Sequence, residues 1–156
     1  MEQVMDTETA ARPDTAARAP HRGAGKLPSA QSLRGAAQAA AAKGEPLVVM
    51  TTLKGCPFCD VVRDNYLGPM RQAGQVHAVQ VDILDRQSVV QGFDGQSTSP
   101  SDLARRWNAK FAPTVLFFGP EGKELAERLQ GVAVQDFYGE YLEQRLATAR
   151  KALKPA

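Results

Sequence analysis

The chain has 156 residues, of which 43% are hydrophobic and 23% are charged, and its formal net charge is +2. This length suits one domain with a substantial core and is short for two. The small charge, with no block of Lys and Arg interleaved with aromatic residues, excludes the electrostatic pattern of a nucleic-acid-binding protein, and no stretch resembles a membrane span. We therefore expect one domain with one active site, acting as a monomer.

The first 28 residues predict a disordered leader, and residues 29–154 predict the domain. The leader is rich in Ala, Thr, Asp, Arg, Pro and Gly, so it buries too little apolar surface to offset the entropy of ordering. It lacks the run of roughly 7 to 15 apolar residues of a secretory signal. This absence favours the cytoplasm, whereas a misassigned start or a replaced signal would leave the periplasm open.

The domain opens with helix-favouring residues. The segment 29–43 is dense in Ala, Leu, Gln, Arg and Lys, which predicts a helix capped by Ser29 or Ser32 and stopped by Gly44. The apolar, β-branched run at 46–53 then predicts a buried strand.

The middle of the chain alternates between helix and strand patterns. A helical pattern over 59–67 meets Gly68-Pro69, which must kink or end the helix. Alternation over 76–84 predicts a second strand. The polar segment 86–98, punctuated by glycines, predicts a loop or a short helical insertion.

The last third predicts a helix, two strands and a helix. Ser99-Pro100-Ser101-Asp102 favours a helix start, with the helix running to about Trp107, which we expect to pack in the core or against the insertion. The runs 113–118 and 124–129 predict strands joined by a turn, and 134–153 predicts a closing helix. This order predicts an α/β domain whose mixed four- or five-stranded sheet has helices on both faces.

The two cysteines, Cys56 and Cys59, lie where the first strand meets the following helix. Two cysteines are too few for a disulfide-stapled scaffold or a four-ligand zinc site. Residues three apart on a first helical turn need little adjustment to form a disulfide, and Pro57 suits the first helical position. The pattern therefore predicts a redox pair.

Cys56 lies at the N-terminus of the predicted helix, and this position should lower the pKa of its thiol. Backbone N–H groups there favour the thiolate, which lowers the pKa of a cysteine from about 8.5 to roughly 3.5–7.5. We expect Cys56 to attack a partner disulfide and Cys59 to release the product by attacking Cys56. Phe58 would be an exposed apolar contact for a protein partner, and a solvated role is favoured for Lys54.

The chain resembles the thioredoxin superfamily over about 46–150. The resemblance lies in Cys56-Pro-Phe-Cys59, in the proline that opens the third strand at Pro113, in the Thr and apolar run after it, and in Gly131 before the last helix. It implies the thioredoxin-like fold and a cis Pro113 beside the disulfide, with the backbone of Ala112 pairing with substrate. Together with the reading of the residues themselves, this predicts catalytic Cys56 and Cys59 and substrate-binding Pro57, Phe58, Ala112 and Pro113, with no metal or other cofactor.

The sequence also departs from typical thioredoxins. They read Cys-Gly-Pro-Cys after a tryptophan, whereas this chain has Gly55 before a Pro-Phe dipeptide more like that of glutaredoxins. They place a buried aspartate six residues before the first cysteine, where this chain has Met50, so Asp60 and Asp82 are only guesses for a proton relay. The Ala-rich front helix and the insertion resemble the thioredoxin-like reductases of the bacterial periplasm.

The resulting hypothesis is a protein-disulfide oxidoreductase that acts as a reductase on protein disulfides or dithiols and is recycled by a redox partner. One alternative is a glutaredoxin-like enzyme that uses glutathione. Another is a binding module in which the two thiols hold a soft metal or share an iron-sulfur cluster between subunits. The two histidines lack ligand-spaced neighbours, so we assign them no metal role.

Overall fold

The computed structural model describes residues 26–131 and 137–154. The helices are α1 (Leu33–Ala41), α2 (Pro57–Val62), α3 (Gly68–Gln72), α4 (Pro100–Arg106) and α5 (Tyr138–Leu153), with a π-helical turn at Arg63–Leu67. The strands are β1 (Leu47–Thr52), β2 (His77–Asp82), β3 (Val90–Gln91), β4 (Ser97–Thr98), β5 (Thr114–Phe118) and β6 (Leu129–Gln130). None of the helices in these ranges is long and apolar enough to cross a membrane.

The main sheet has four strands in the order β2-β1-β5-β6. β1 pairs in parallel with β2 and antiparallel with β5, and β5 pairs antiparallel with β6. The predicted mixed sheet is therefore confirmed, with four strands. Since the central strand β1 is covered on both faces, all six of its residues are buried, which explains its continuous apolar run.

The core lies on both faces of this sheet. Val48 and Met50 face one cluster, which contains Cys59 and residues of α5 such as Leu142. Leu47 and Val49 face the opposite cluster, which contains residues of α1 and α4. Cys59 and α5 thus lie on the same face of the sheet, the face to which Val48 and Met50 point.

The fold begins earlier than the sequence predicted. Leu27, assigned to the leader, is buried with 6% of its surface exposed, and the N–H of Gln80 donates to the carbonyl of Pro28 over 2.9 Å. Ser29 forms an isolated parallel bridge with Gln80 and does not cap α1. The cap is Ser32, whose hydroxyl accepts from the N–H of Gly35 over 3.0 Å. The remainder of the predicted leader, residues 1–25, lies outside the described residues.

Pro69 does not end the helix that follows the cysteines. The N–H of Gly68 donates to the carbonyl of Arg63, five residues earlier, which makes the turn π-helical. Pro69 then falls in the first turn of α3, where a missing N–H is tolerated. The interruption predicted at Gly68-Pro69 takes the form of this turn, and the helix continues to Gln72.

Two further predictions need correction. The insertion at 86–98 contains no helix but the paired strands β3 and β4. The strand predicted over 124–129 is reduced to an isolated bridge at Glu124 and the two residues of β6. Between these, the Leu125 N–H donates to the Phe117 carbonyl over 2.8 Å, and Arg128 binds the Glu124 carboxylate over 2.6 Å and the Trp107 carbonyl over 2.8 Å. The predicted start of the last helix at 134 lies outside the described residues.

The insertion is attached through three aromatic rings. Phe93 from the insertion lies 4.9 Å from Phe118 of β5, and Trp107 after α4 lies 5.0 Å from the same ring, measured between centroids. Tilted pairs at this separation are favourable. Trp107, expected in the core or against the insertion, contacts both Phe118 of the core and Phe93 of the insertion.

Candidate active site around Cys56 and Cys59

The redox pair lies at the carboxyl end of the buried strand β1. Gly55 has a positive φ of 73°, a conformation that glycine adopts without steric cost, and it turns the chain from β1 into α2. Cys56 is the N-cap of α2, and Pro57 takes the first helical position. This is the strand-to-helix junction that the sequence predicted.

Cys56 and Cys59 are joined by a disulfide, with their Cα atoms 5.2 Å apart. Cys56 is half-buried, whereas Cys59 has no exposed surface and belongs to the apolar cluster against α5. Only one of the two sulfurs is therefore open to a partner.

The backbone of α2 places a donor against the exposed sulfur. The N–H of Cys59 donates to Cys56 Sγ over 3.2 Å. A hydrogen bond to the charged form stabilises that form, so the reduced Cys56 should favour the thiolate.

We expect the pH profile of alkylation to report this effect. In the reduced protein, the rate at which iodoacetamide modifies Cys56 should follow a pKa below the value of about 8.5 for a free cysteine, because the Cys59 N–H and the helix end stabilise the thiolate. The Cys59→Ser variant isolates the titration of one thiol, and unfolded protein in urea is the control. A Cys56 pKa equal to that of the unfolded control would contradict the assignment of Cys56 as nucleophile.

A second segment, the loop before β5, lies directly beside Cys56. The carbonyl oxygen of Ala112 is 3.8 Å from Cys56 Sγ; the sulfur carries no proton in the disulfide, so this is a close contact. The Ala112–Pro113 peptide bond is cis. Gly131, which ends the β6 segment, donates its N–H to the carbonyl of Pro113 over 2.7 Å. The structure thus brings together the residues on which the resemblance depended.

Exposed apolar side chains flank the disulfide. Phe58 is 54% exposed, and Phe111, next to Ala112, is 73% exposed. Pro57 is also exposed. The sequence pattern predicted no role for Phe111, although its position as an aromatic residue at the end of a polar segment and directly before Ala-Pro was an available signal.

The two aspartates suggested for a proton relay bind other groups. The side chain of Asp60 is 60% exposed and binds Arg63 over 2.6 Å. Asp82 accepts from the N–H of Leu84 over 2.9 Å. Met50, at the position of the usual aspartate, is fully buried in the cluster that contains Cys59, so that position offers no titratable group.

The charge of Lys54 acts on Asp85. The side chain of Lys54 is exposed, and its charge is the least of the influences that lower the pKa of the Asp85 carboxyl. The largest is the hydrogen bond from the Ser88 hydroxyl, followed by the backbone N–H groups of Ser88 and Gln87. These hydrogen bonds lie within the loop after β2 and fix its shape.

Tyr138, the first residue of α5, closes the cluster around Cys59. Its ring packs on Tyr66, with centroids 5.2 Å apart. Burial, with a smaller contribution from Tyr66, raises the pKa of the Tyr138 hydroxyl, so this group is protonated at neutral pH. Its oxygen has no hydrogen-bond partner among the described residues.

Within residues 26–131 and 137–154, no three or more His, Cys, Asp or Glu side chains are grouped so that they could hold a metal ion. At the candidate site, the potential metal ligands are the two cysteines.

Comparison with known proteins identifies the family. The sequence model of the thioredoxin-like domain matches residues 33–146. The chain therefore belongs to the thioredoxin-like domain family. A search of the curated proteins finds no significant match.

Solved structures support the same fold. Mitochondrial thioredoxin 3 from Saccharomyces cerevisiae, in its oxidised form, is 16% identical with a TM-score of 0.52, over 81% of this chain and 98% of that one. Thioredoxin from Fasciola hepatica is 16% identical with a TM-score of 0.50, over 78% and 97%. A mutant thioredoxin from Halobacterium salinarum is 12% identical with a TM-score of 0.50, over 81% and 96%. Together with the Cys-x-x-Cys pair, the family supports thiol-disulfide oxidoreductase activity in general terms.

Proposed function

We propose that this protein reduces disulfide bonds in protein partners through Cys56 and Cys59. The observation that carries the proposal is the asymmetry of the pair, in which Cys56 is half-buried beside an exposed apolar surface and Cys59 is fully buried. A nucleophile must reach its substrate, whereas a resolving thiol is protected by burial until the substrate is attached to its neighbour.

The reaction has two steps that conserve atoms and electrons. In the reduced protein, the Cys56 thiolate attacks one sulfur of the partner disulfide, which forms a mixed disulfide and releases the other partner sulfur as a thiolate that takes up a proton. Cys59 then loses its proton and attacks Cys56, which forms the Cys56–Cys59 disulfide and releases the second partner thiol. The partner gains two electrons and two protons, and a dithiol redox partner must return them to the protein.

The substrate would lie between two segments of the site. Phe58, after Pro57, offers an apolar contact on the helix side, and Ala112 with Pro113 offers backbone on the other. The carbonyl of Ala112 is 3.8 Å from the attacking sulfur, so a substrate chain paired with this backbone would have its own sulfur close to Cys56. These contacts suit an extended polypeptide.

The test compares two substrates of different size. With dithiothreitol as electron source, we expect the protein to accelerate the reduction of insulin disulfides and to act much more slowly on a peptide that carries a glutathione mixed disulfide. The Cys56→Ser/Cys59→Ser double variant is the control for background reduction. Activity on the glutathione mixed disulfide alone would instead support the glutaredoxin-like alternative, which the Pro-Phe dipeptide suggests.

A further inference from the structure

We propose that Thr51 is a positioning residue for disulfide exchange, because its buried hydroxyl joins β1 to both flanks of the Ala112–Pro113 loop. The proposal rests on the proposed function and concerns how the same site is held in shape. The hydrogen bonds of the Thr51 hydroxyl go to Phe111 and Thr114, so Thr51 acts through the loop.

Thr51 lies where the pairing between β1 and β5 stops. The last registered pair of these strands is Met50 with Val115, so Thr51 and Thr114 occupy the next position beyond the ladder. Both are buried, with 0% and 1% of their surface exposed. A buried hydroxyl needs hydrogen-bond partners.

The Thr51 hydroxyl finds a partner on each side of the loop. Its oxygen accepts from the N–H of Thr114 over 2.8 Å, and it donates to the carbonyl of Phe111 over 2.9 Å. A further contact with the Thr114 carbonyl is longer, at 3.4 Å, so the single proton is directed at Phe111. The Thr114 hydroxyl donates to the same Phe111 carbonyl over 2.7 Å.

Only Ala112 and Pro113 lie between the two clamped residues. The carbonyl of Ala112 is the group that lies 3.8 Å from Cys56 Sγ. The strand that holds the loop through Thr51 also leads, five residues later, to Cys56 itself. Thr51 therefore links the substrate-facing backbone to the strand that leads to the attacking sulfur.

The neighbouring residue provides a matched control. Thr52 is also a buried threonine on β1, with 8% of its surface exposed, but its hydroxyl accepts from Arg63 over 3.3 Å and does not contact the loop. Thr51→Val and Thr52→Val therefore make the same chemical change at adjacent positions with different partners.

We expect Thr51→Val to lower kcat/KM for insulin disulfide reduction about ten-fold, since a misplacement of about 1 Å can cost about a hundred-fold and the loss of this clamp should shift the loop by less. Reduction of the small disulfide 5,5′-dithiobis(2-nitrobenzoate), which needs no backbone pairing, should stay within about two-fold of wild type. Thr51→Ser, which restores the hydroxyl, should recover the insulin activity, and Thr52→Val should retain it. Amide hydrogen exchange at Thr114 should be faster in Thr51→Val alone.

Several results would overturn the proposal. These are an unchanged insulin rate in Thr51→Val, an equal loss in Thr52→Val, or an equal loss for both substrates. If Thr51→Val does not fold, Thr51→Ala can take its place in the comparison with Thr51→Ser, because it also removes the hydroxyl but adds no methyl group. A wild-type protein that does not reduce insulin overturns the proposed function itself, which is a different outcome from an active wild type with an unaffected variant.

Discussion

Replacing Cys56 with serine should lower the rate of insulin reduction by about a thousand-fold or more, because a hydroxyl at this position cannot form the mixed disulfide on which exchange depends. The half-buried Cys56 is the sulfur that a partner can reach, and the buried Cys59 has no exposed surface with which to replace it. The measurement is the initial rate of insulin reduction with dithiothreitol, after subtraction of the uncatalysed rate.

Replacing Cys59 with serine should have a different consequence. The first attack by Cys56 remains possible, but no thiol is left to resolve the mixed disulfide, so the partner should stay attached to Cys56. Non-reducing electrophoresis and mass spectrometry would detect the adduct with a disulfide-containing substrate. Adducts should be absent from Cys56→Ser, and adducts on Cys59 of that variant would reverse the roles assigned to the two cysteines.

Replacing Phe118 with alanine should lower the free energy of unfolding by about 3–5 kcal/mol, the usual cost of deleting a buried aromatic side chain. Phe118 is 1% exposed and contacts the rings of Phe93 and Trp107, so its loss removes an aromatic contact between the insertion and the sheet. Urea unfolding followed by circular dichroism measures the change. Fluorescence of Trp107, the only tryptophan, should also shift in the native state.

Phe111→Ala is the matched control for this change. It removes the same side chain a few residues earlier, but Phe111 is 73% exposed, so the free energy of unfolding should change by no more than about 0.5 kcal/mol. Equal unfolding midpoints for the two variants would show that the aromatic cluster does not support the fold.

The centre of the candidate site could be read from local sequence. A buried apolar strand followed by Gly55, Cys56 and Pro57 specifies a strand-to-helix junction, since each residue suits its local position without reference to distant parts of the chain. The position of Ala112 and Pro113 beside Cys56 was predicted only from the resemblance to the thioredoxin superfamily. No local sequence pattern shows which strands become neighbours in the sheet.

The remaining parts of the site depend on contacts between distant segments. The sequence did not predict a role for the Thr51 hydroxyl, since its hydrogen-bond partners lie sixty and more residues away along the chain. The one available signal was a polar residue at the end of a buried strand. Likewise, exposure distinguishes Phe111 from the buried Phe117 and Phe118, which composition alone cannot do.

Local sequence patterns were enough to predict the α/β class, most helices and strands of the domain, and the pairing of Cys56 with Cys59, because these depend on periodicity, capping residues and spacing within a few positions. Three features became visible only in the folded chain: Leu27 belongs to the core, the helix passes Pro69 through a π-helical turn, and Thr51 contacts the loop beside Cys56. These features arise where packing between distant segments outweighs local preference, and a local pattern carries no information about such contacts.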